Sequence, residues 1–261
     1  MDILLIGTGA LVGLLVGLVG VGGGAITMPI LLLGFGINPA LAVGTDLWFA
    51  FITKLVACRS YQKQGSVDWA IVKKLTIGSL SGILCTIAYL HHQAITPQTQ
   101  EMLKMMIAII VLVTAVSILF QGKIQQSMLG GFLGKEGGNH RWRDSFTFIG
   151  GSIIGVLVTM TSVGAGTLGS IVILFLYPKN MTAQKLIATN LAHAVPIAVV
   201  AAMGHLFIGN VDVFLLCQLL LGSVPAVWIG SKLAINLSHK WLNSILAIVL
   251  LFTGSQMLTV V

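Results

Sequence analysis

The chain reads as long apolar blocks separated by short polar turns. In the first half these blocks cover residues 3–20, 40–61, 69–90 and 102–120. Each approaches the ~20 residues that a helix needs to cross a bilayer. They are apolar on all sides, as lipid-embedded helices are, and no alternating segments of about 10 residues suggest a membrane barrel. Polar punctuation falls at Asn38-Pro39, at Gly65-Ser66-Val67-Asp68 and at His91-His92-Gln93 through Gln100. Residues 121–144 form the one substantial hydrophilic stretch. The pattern predicts an all-α polytopic membrane protein.

One apolar run is interrupted from within. Gly20-Val21-Gly22-Gly23-Gly24 is followed by Ala25-Ile26-Thr27-Met28-Pro29, and glycine and proline are the poorest residues with which to continue a helix. The apolar element after the break, 25–36, is too short to span a bilayer core at 1.5 Å per residue. The same interruption returns as Val163-Gly164-Ala165-Gly166-Thr167, followed by the short element 167–177.

The recurrence extends along the chain. Gly13 through Gly24 matches Gly155 through Gly166, Gly44-Thr45-Asp46-Leu47 matches Ala188-Thr189-Asn190-Leu191, and Gly65-Ser66-Val67-Asp68 matches Gly209-Asn210-Val211-Asp212. The predicted organisation is a first membrane repeat over 1–120, a cytoplasmic linker over 121–144 and a second membrane repeat over 145–261. Each repeat has about five helical elements with a glycine-broken first helix pair. Gly9, Gly13 and Gly17 line one helix stripe, a face on which another helix can approach closely.

Charge placement orients the two halves. Arg59, Lys63, Lys73 and Lys74 surround the turn near 65, whereas its counterpart near 209 has no Lys or Arg nearby. The turn at 91–100 has none, but its counterpart near 236 lies between Lys232 and Lys240. The uncharged turn at 36–40 is matched by one bearing Lys179 and Lys185. By the positive-inside rule the repeats have inverted topology, with both termini outside the cytoplasmic membrane. Asp2 without a basic flank predicts that the first segment is retained rather than cleaved.

Composition agrees: 56% of residues are apolar, 8% are charged, and the mean hydropathy is +1.01. The net charge of +7 lies scattered at segment ends, which fits topology signals and not nucleic-acid binding. Cys58, Cys85 and Cys217 have no ligand or disulfide spacing, and no metal or cofactor is predicted.

A helix broken inside a bilayer is tolerated where protein or a water-filled cavity satisfies its backbone. Its new N-terminus presents N–H groups and a partial positive charge, which suit an anion. Gly22, Gly23, Gly24 and Thr27, with Gly164, Gly166 and Thr167, are the candidate ligands. The bland reading, glycines that merely allow tight crossings, suits Gly13 better than Gly22–Gly24. Asp46 is the one acid inside an apolar block, and such groups are costly and usually functional. Thr45 and Asp46, with Thr189, Asn190 and His193, form a second polar layer, in which Asp46 or His193 would couple protons. Lys54 and Arg59 are expected to snorkel to the interface. Gly20 through Ala25 also fits G-x-G-x-x-A, but a dinucleotide fingerprint needs a strand before it and a polar-faced helix after it. No H-E-x-x-H or G-x-S-x-G occurs, so the chain is read as no enzyme.

The glycine run with Pro29 downstream, then Ala42-Val43-Gly44-Thr45, duplicated in a second half, resembles the TauE/SafE (sulfite exporter) family of permeases. The second half departs from that pattern: Gly164-Ala165-Gly166 is a thinner glycine run, and Ile171 stands where Pro29 would map. The resemblance implies transport of sulfite, sulfonates or related organosulfur anions, which agrees with the anion site read from the helix breaks. The expected function is a secondary transporter of a small sulfur-containing anion such as sulfite, thiosulfate or a sulfonate. The alternatives are a passive anion channel, or an intramembrane enzyme or scaffold. Expected partners are that anion and the lipid bilayer; coupling protons and a homodimer stay open.

Overall fold

A computed structural model describes residues 2–19, 23–62, 67–93, 96–129, 140–178, 181–233 and 239–259. The elements are α1 (Ile3–Val19), α2 (Gly24–Pro29), α3 (Pro39–Gln62), α4 (Trp69–His92), α5 (Pro97–Leu129), α6 (His140–Thr161), α7 (Thr167–Leu176), α8 (Ala183–Ile208), α9 (Val213–Leu233) and α10 (His239–Thr259). No strand occurs among the described residues. Six helices, α3, α4, α5, α6, α8 and α9, are long and apolar enough to cross a membrane. This is an all-α, multi-pass membrane fold.

Local chemistry sets the helix ends. The Asp68 carboxylate accepts from Ile71 N at the start of α4, and the Thr182 hydroxyl accepts from Lys185 N at the start of α8. Gly209 closes α8 at φ 85°, a left-handed conformation that glycine adopts without a Cβ penalty. Pro29 ends α2, and the backbone then widens into a π turn over Ile30–Gly34, where Phe35 N donates to Ile30 O at 3.2 Å.

The halves interdigitate. α1 lies along α9 and α4 along α6, while α3 packs on α8 and α5 on α10. Exchanging the first five helices with the last five leaves this set of pairs unchanged. The glycine stripe of α1 faces α9: a Cβ on Gly13 would sit 2.5 Å from Ser223 O, and one on Gly9 or Gly17 would strike the Leu219 or Val227 carbonyl. α6 meets α4 in the same way, with a Gly151 Cβ falling 2.5 Å from Leu75 O and a Gly155 Cβ striking Ser79 O. The stripe is a packing face, and backbones this close gain their contact from dispersion along the whole crossing.

Helix extends into both ends of the hydrophilic stretch. α5 continues through 121–129, and α6 already begins at His140. Gln and Lys are good helix formers, so the helix outlasts its apolar block. Residues 130–139 lie outside the described residues.

Candidate functional site

Both broken helix pairs return to the end from which they enter. Ile3, Leu4 and Leu5 at the start of α1 share a cleft of about 870 Å³ with Ile37, Asn38 and Leu41, which follow the second limb. In the other half, Tyr177 just past α7 meets the start of α6. Its hydroxyl lies 2.9 Å from Thr147 Oγ1, and its ring lies under the Arg143 guanidinium at 4.8 Å. The two breaks therefore approach each other from opposite ends of the bundle.

They meet at Gly24. A Cβ there would strike the Ser162 carbonyl and lie 2.8 Å from Asp46 Oδ2. Asp46 is fully buried on α3, and its carboxyl neighbours the Ser162 and Thr27 hydroxyls. Neither of its oxygens has a hydrogen-bond partner among the described residues. An acceptor-only group in that position calls for a proton, a cation or a donor on a solute. Lys54, about two turns along the same helix, is 3% exposed. That corrects the snorkelling expectation: the α3 face that carries it packs into the bundle instead of reaching the interface.

The second break carries a parallel constellation. Asn190 Nδ2 donates to Gly166 O at 2.5 Å and to Ser170 Oγ at 3.1 Å, while its Oδ1 is buried without a partner. A Cβ on Gly169 would strike that Oδ1. Thr167 Oγ1 lies 3.2 Å from Thr114 Oγ1 of α5. Gly23 and Gly166 are the N-cap positions of α2 and α7, and neither helix start has a side-chain cap.

The remaining sequence-predicted residues divide. Gly22 lies outside the described residues. Gly23 turns from the meeting point, since a Cβ there would face Val16, Val12 and Phe49. Thr27 Oγ1 donates to Gly23 O at 3.0 Å on its own helix. Gly164 is left-handed at φ 103°, and a Cβ there would press on Leu168. Thr45 and Thr189 do not join the breaks. Thr45 Oγ1 accepts from Asp212 N at 3.0 Å and Thr189 Oγ1 from Asp68 N at 3.1 Å, so each ties its helix to a turn of the other half. His193 is buried, with Nε2 2.9 Å from Ser79 Oγ of α4 and Nδ1 unpartnered.

Several polar residues here escape sequence reading. Ser162, Ser79, Ser170 and Thr114 sit in apolar runs with no spacing that marks them. His205, near the end of α8, is 1% exposed, and its Nε2–H donates to Thr159 O at 2.9 Å. The only available hint was the rarity of polar residues in such runs.

The family model described as Sulfite exporter TauE/SafE matches residues 5–257. The chain belongs to the TauE/SafE sulfite exporter family. Among proteins similar to this family member is the probable membrane transporter protein YjnA of Bacillus subtilis (strain 168), 34% identical over 266 residues covering 99% of this chain and 100% of the relative. A second is the probable membrane transporter protein YdhB of the same organism, 25% identical over 236 residues, with 88% of this chain and 89% of the relative covered. The probable membrane transporter protein YunE, also of B. subtilis, is 34% identical over 71 residues, 27% of this chain and 26% of its own. No solved structure matches the chain. The family and the relatives are named as transporters, and the six long apolar helices agree with a multi-pass membrane protein.

Proposed function

We propose that this family member is a secondary transporter that carries a small sulfur-containing oxyanion through alternating access between two halves of inverted topology. The observation that carries the reading is the meeting of two helix breaks at Gly24 beside buried, unpartnered polar atoms, both oxygens of Asp46 and Ser162 Oγ, with Asn190 Oδ1 likewise unpartnered at the start of the second short helix. Buried polar groups without partners are expensive, so a cluster of them at the junction of two uncapped helix starts fits a place that a solute completes. The helix starts at Gly24 and Thr167 offer N–H groups and positive dipole ends to the anion. Gly24 and Thr27 border that place from the first break, Gly166, Thr167 and Asn190 build the corresponding start of the second, Gly23 and Gly164 allow the two turns, and Thr45 and Thr189 hold the helix ends against the opposite half.

Asp46 decides the coupling. A carboxylate touching Gly24 would repel an anion beside it, so the site accepts its solute together with a proton shared between them. His193, one turn beyond Asn190 on α8, continues the polar layer with Ser79 of α4. The inverted arrangement is supported by the opposite charge of matched turns, by packing pairs that survive exchange of the halves, and by the entry of the two breaks from opposite ends. It places Arg59, Lys63, Lys73 and Lys74 on the cytoplasmic side and both termini outside.

The test is counterflow of radiolabelled sulfite in proteoliposomes, with wild type beside Asp46→Asn. Saturable counterflow in both, with uptake driven by a pH gradient only in wild type, is the expected result. Flux without saturation or counterflow would replace the carrier with a passive anion channel.

A further inference from the structure

The residue that closes α6 is strained. Ser162 has φ 57°, and no other non-glycine among the described residues has a positive φ. A side chain in this left-handed region is unfavourable, and serine is not among the residues that visit it readily. The register that pairs Gly13 with Gly155 puts Gly20 opposite Ser162; a glycine would carry no penalty here.

The turn itself explains the backbone but not the serine. Ser162 N donates to Val158 O at 2.8 Å, completing α6. The Thr161 hydroxyl then donates to Leu157 O at 2.6 Å and accepts from Val163 N at 3.2 Å, so Thr161 stitches the reversal. The Ser162 hydroxyl takes no part. It is buried, with the residue 3% exposed, and makes no hydrogen bond of ordinary geometry, the acceptor beside it being the Asp46 carboxyl. Its carbonyl rests against Gly24, and the Asp46 carboxyl is its neighbour. A strained backbone that presents an unpartnered buried hydroxyl fits function better than folding.

We propose that Ser162 is a solute ligand, its hydroxyl donating to an oxygen of the small oxyanion bound beside the Gly24–Asp46 contact. This rests on the transport reading above. It assigns the second half a side-chain donor at the point where its glycine run is thinner than that of the first. The strain is retained because the left-handed turn brings the hydroxyl to the meeting point of the breaks.

The experiment compares wild type, Ser162→Gly and Ser162→Ala in radiolabelled sulfite counterflow, with melting temperatures measured on the same preparations. Ser162→Gly relieves the backbone strain, so its melting temperature stays equal to that of wild type or rises. Its half-saturation concentration for sulfite rises about tenfold or more, the usual consequence of losing a hydrogen bond to a charged group. Ser162→Ala loses the same affinity but gains no stability. A Ser162→Gly protein whose half-saturation stays within twofold of wild type overturns the assignment and leaves Ser162 as a turn residue. Wild-type protein that moves no sulfur oxyanion overturns the transport reading and this inference together; wild type that does, beside an unaltered Ser162→Gly, overturns this inference alone.

Discussion

Two glycines of α1 separate packing from propensity. Gly7 is exposed, and a Cβ there would meet nothing within 4 Å. Gly13, less than two turns later, is buried, and its Cβ would sit 2.5 Å from Ser223 O and 2.6 Å from Ser223 Cα. Restoring an ordinary 3.4 Å contact from 2.5 Å requires α1 and α9 to part by about 0.9 Å. A gap of 0.5–1 Å forfeits roughly a quarter to a half of each dispersion contact along the crossing. Overpacking of this kind costs about 1–3 kcal/mol. Gly7→Ala instead gains about 1 kcal/mol of helix propensity. The same chemical change thus acts with opposite sign six residues apart, and the two variants differ by about 2–4 kcal/mol. At about 2–4 °C per kcal/mol for a chain of this size, melting temperatures should separate by roughly 5–15 °C. Thermal unfolding of the detergent-solubilised variants, followed by tryptophan fluorescence, measures this. Coincident melting of Gly7→Ala and Gly13→Ala would refute the close approach of α1 and α9.

Thr45→Val and Thr189→Val each remove the acceptor of a backbone N–H in the opposite half, of Asp212 and Asp68 respectively. Each should lower stability by about 1–3 kcal/mol in melting experiments and leave the half-saturation for sulfite unchanged; a changed half-saturation would return these threonines to the solute. Lys185 Nζ lies 3.0 Å from Asp68 Oδ2 and holds that carboxyl below the usual carboxylate range. A depressed folded-state pKa contributes stability above the unfolded value near 4 and loses it as pH falls through the lower folded value. Melting of wild type and Lys185→Met should therefore differ by a constant amount, under about 1 kcal/mol, above pH ~5 and converge in stronger acid; a gap that widens on acidification would contradict the pairing.

The large features of the fold follow from punctuation that the chain displays openly. Apolar blocks, two glycine breaks and matched turns are one-dimensional signals, and they give the all-helical class, the five elements per half and the packing role of the Gly9, Gly13 and Gly17 stripe. What the sequence conceals is azimuth, the side of each helix that faces inward. Thr45 and Asp46 are adjacent, yet one reaches the Asp212 turn and the other Gly24. Neighbours on a helix point about 100° apart, so grouping them in a single polar layer merged two destinations. Lys54 differs from expectation for the same reason: its distance along α3 suggests an interface, and its bearing puts it inside the bundle. Ser162 is invisible for another reason. Its distinction is a backbone angle, and no residue type announces strain.

The pairing of α1 with α9 also bears on how the chain is made. Synthesis proceeds from the N-terminus, so α1 (Ile3–Val19) is in place long before α9 (Val213–Leu233) exists. Its glycine stripe must wait through most of translation without the surface it was shaped to meet. α4 and α6 find each other much sooner, on either side of α5 and the predicted linker. The α4–α6 seam can therefore close before the α1–α9 seam, for which both partners exist only once α9 is made. Until then that stripe is open to lipid and to other nascent chains, the exposure that quality-control machinery in a membrane is built to notice.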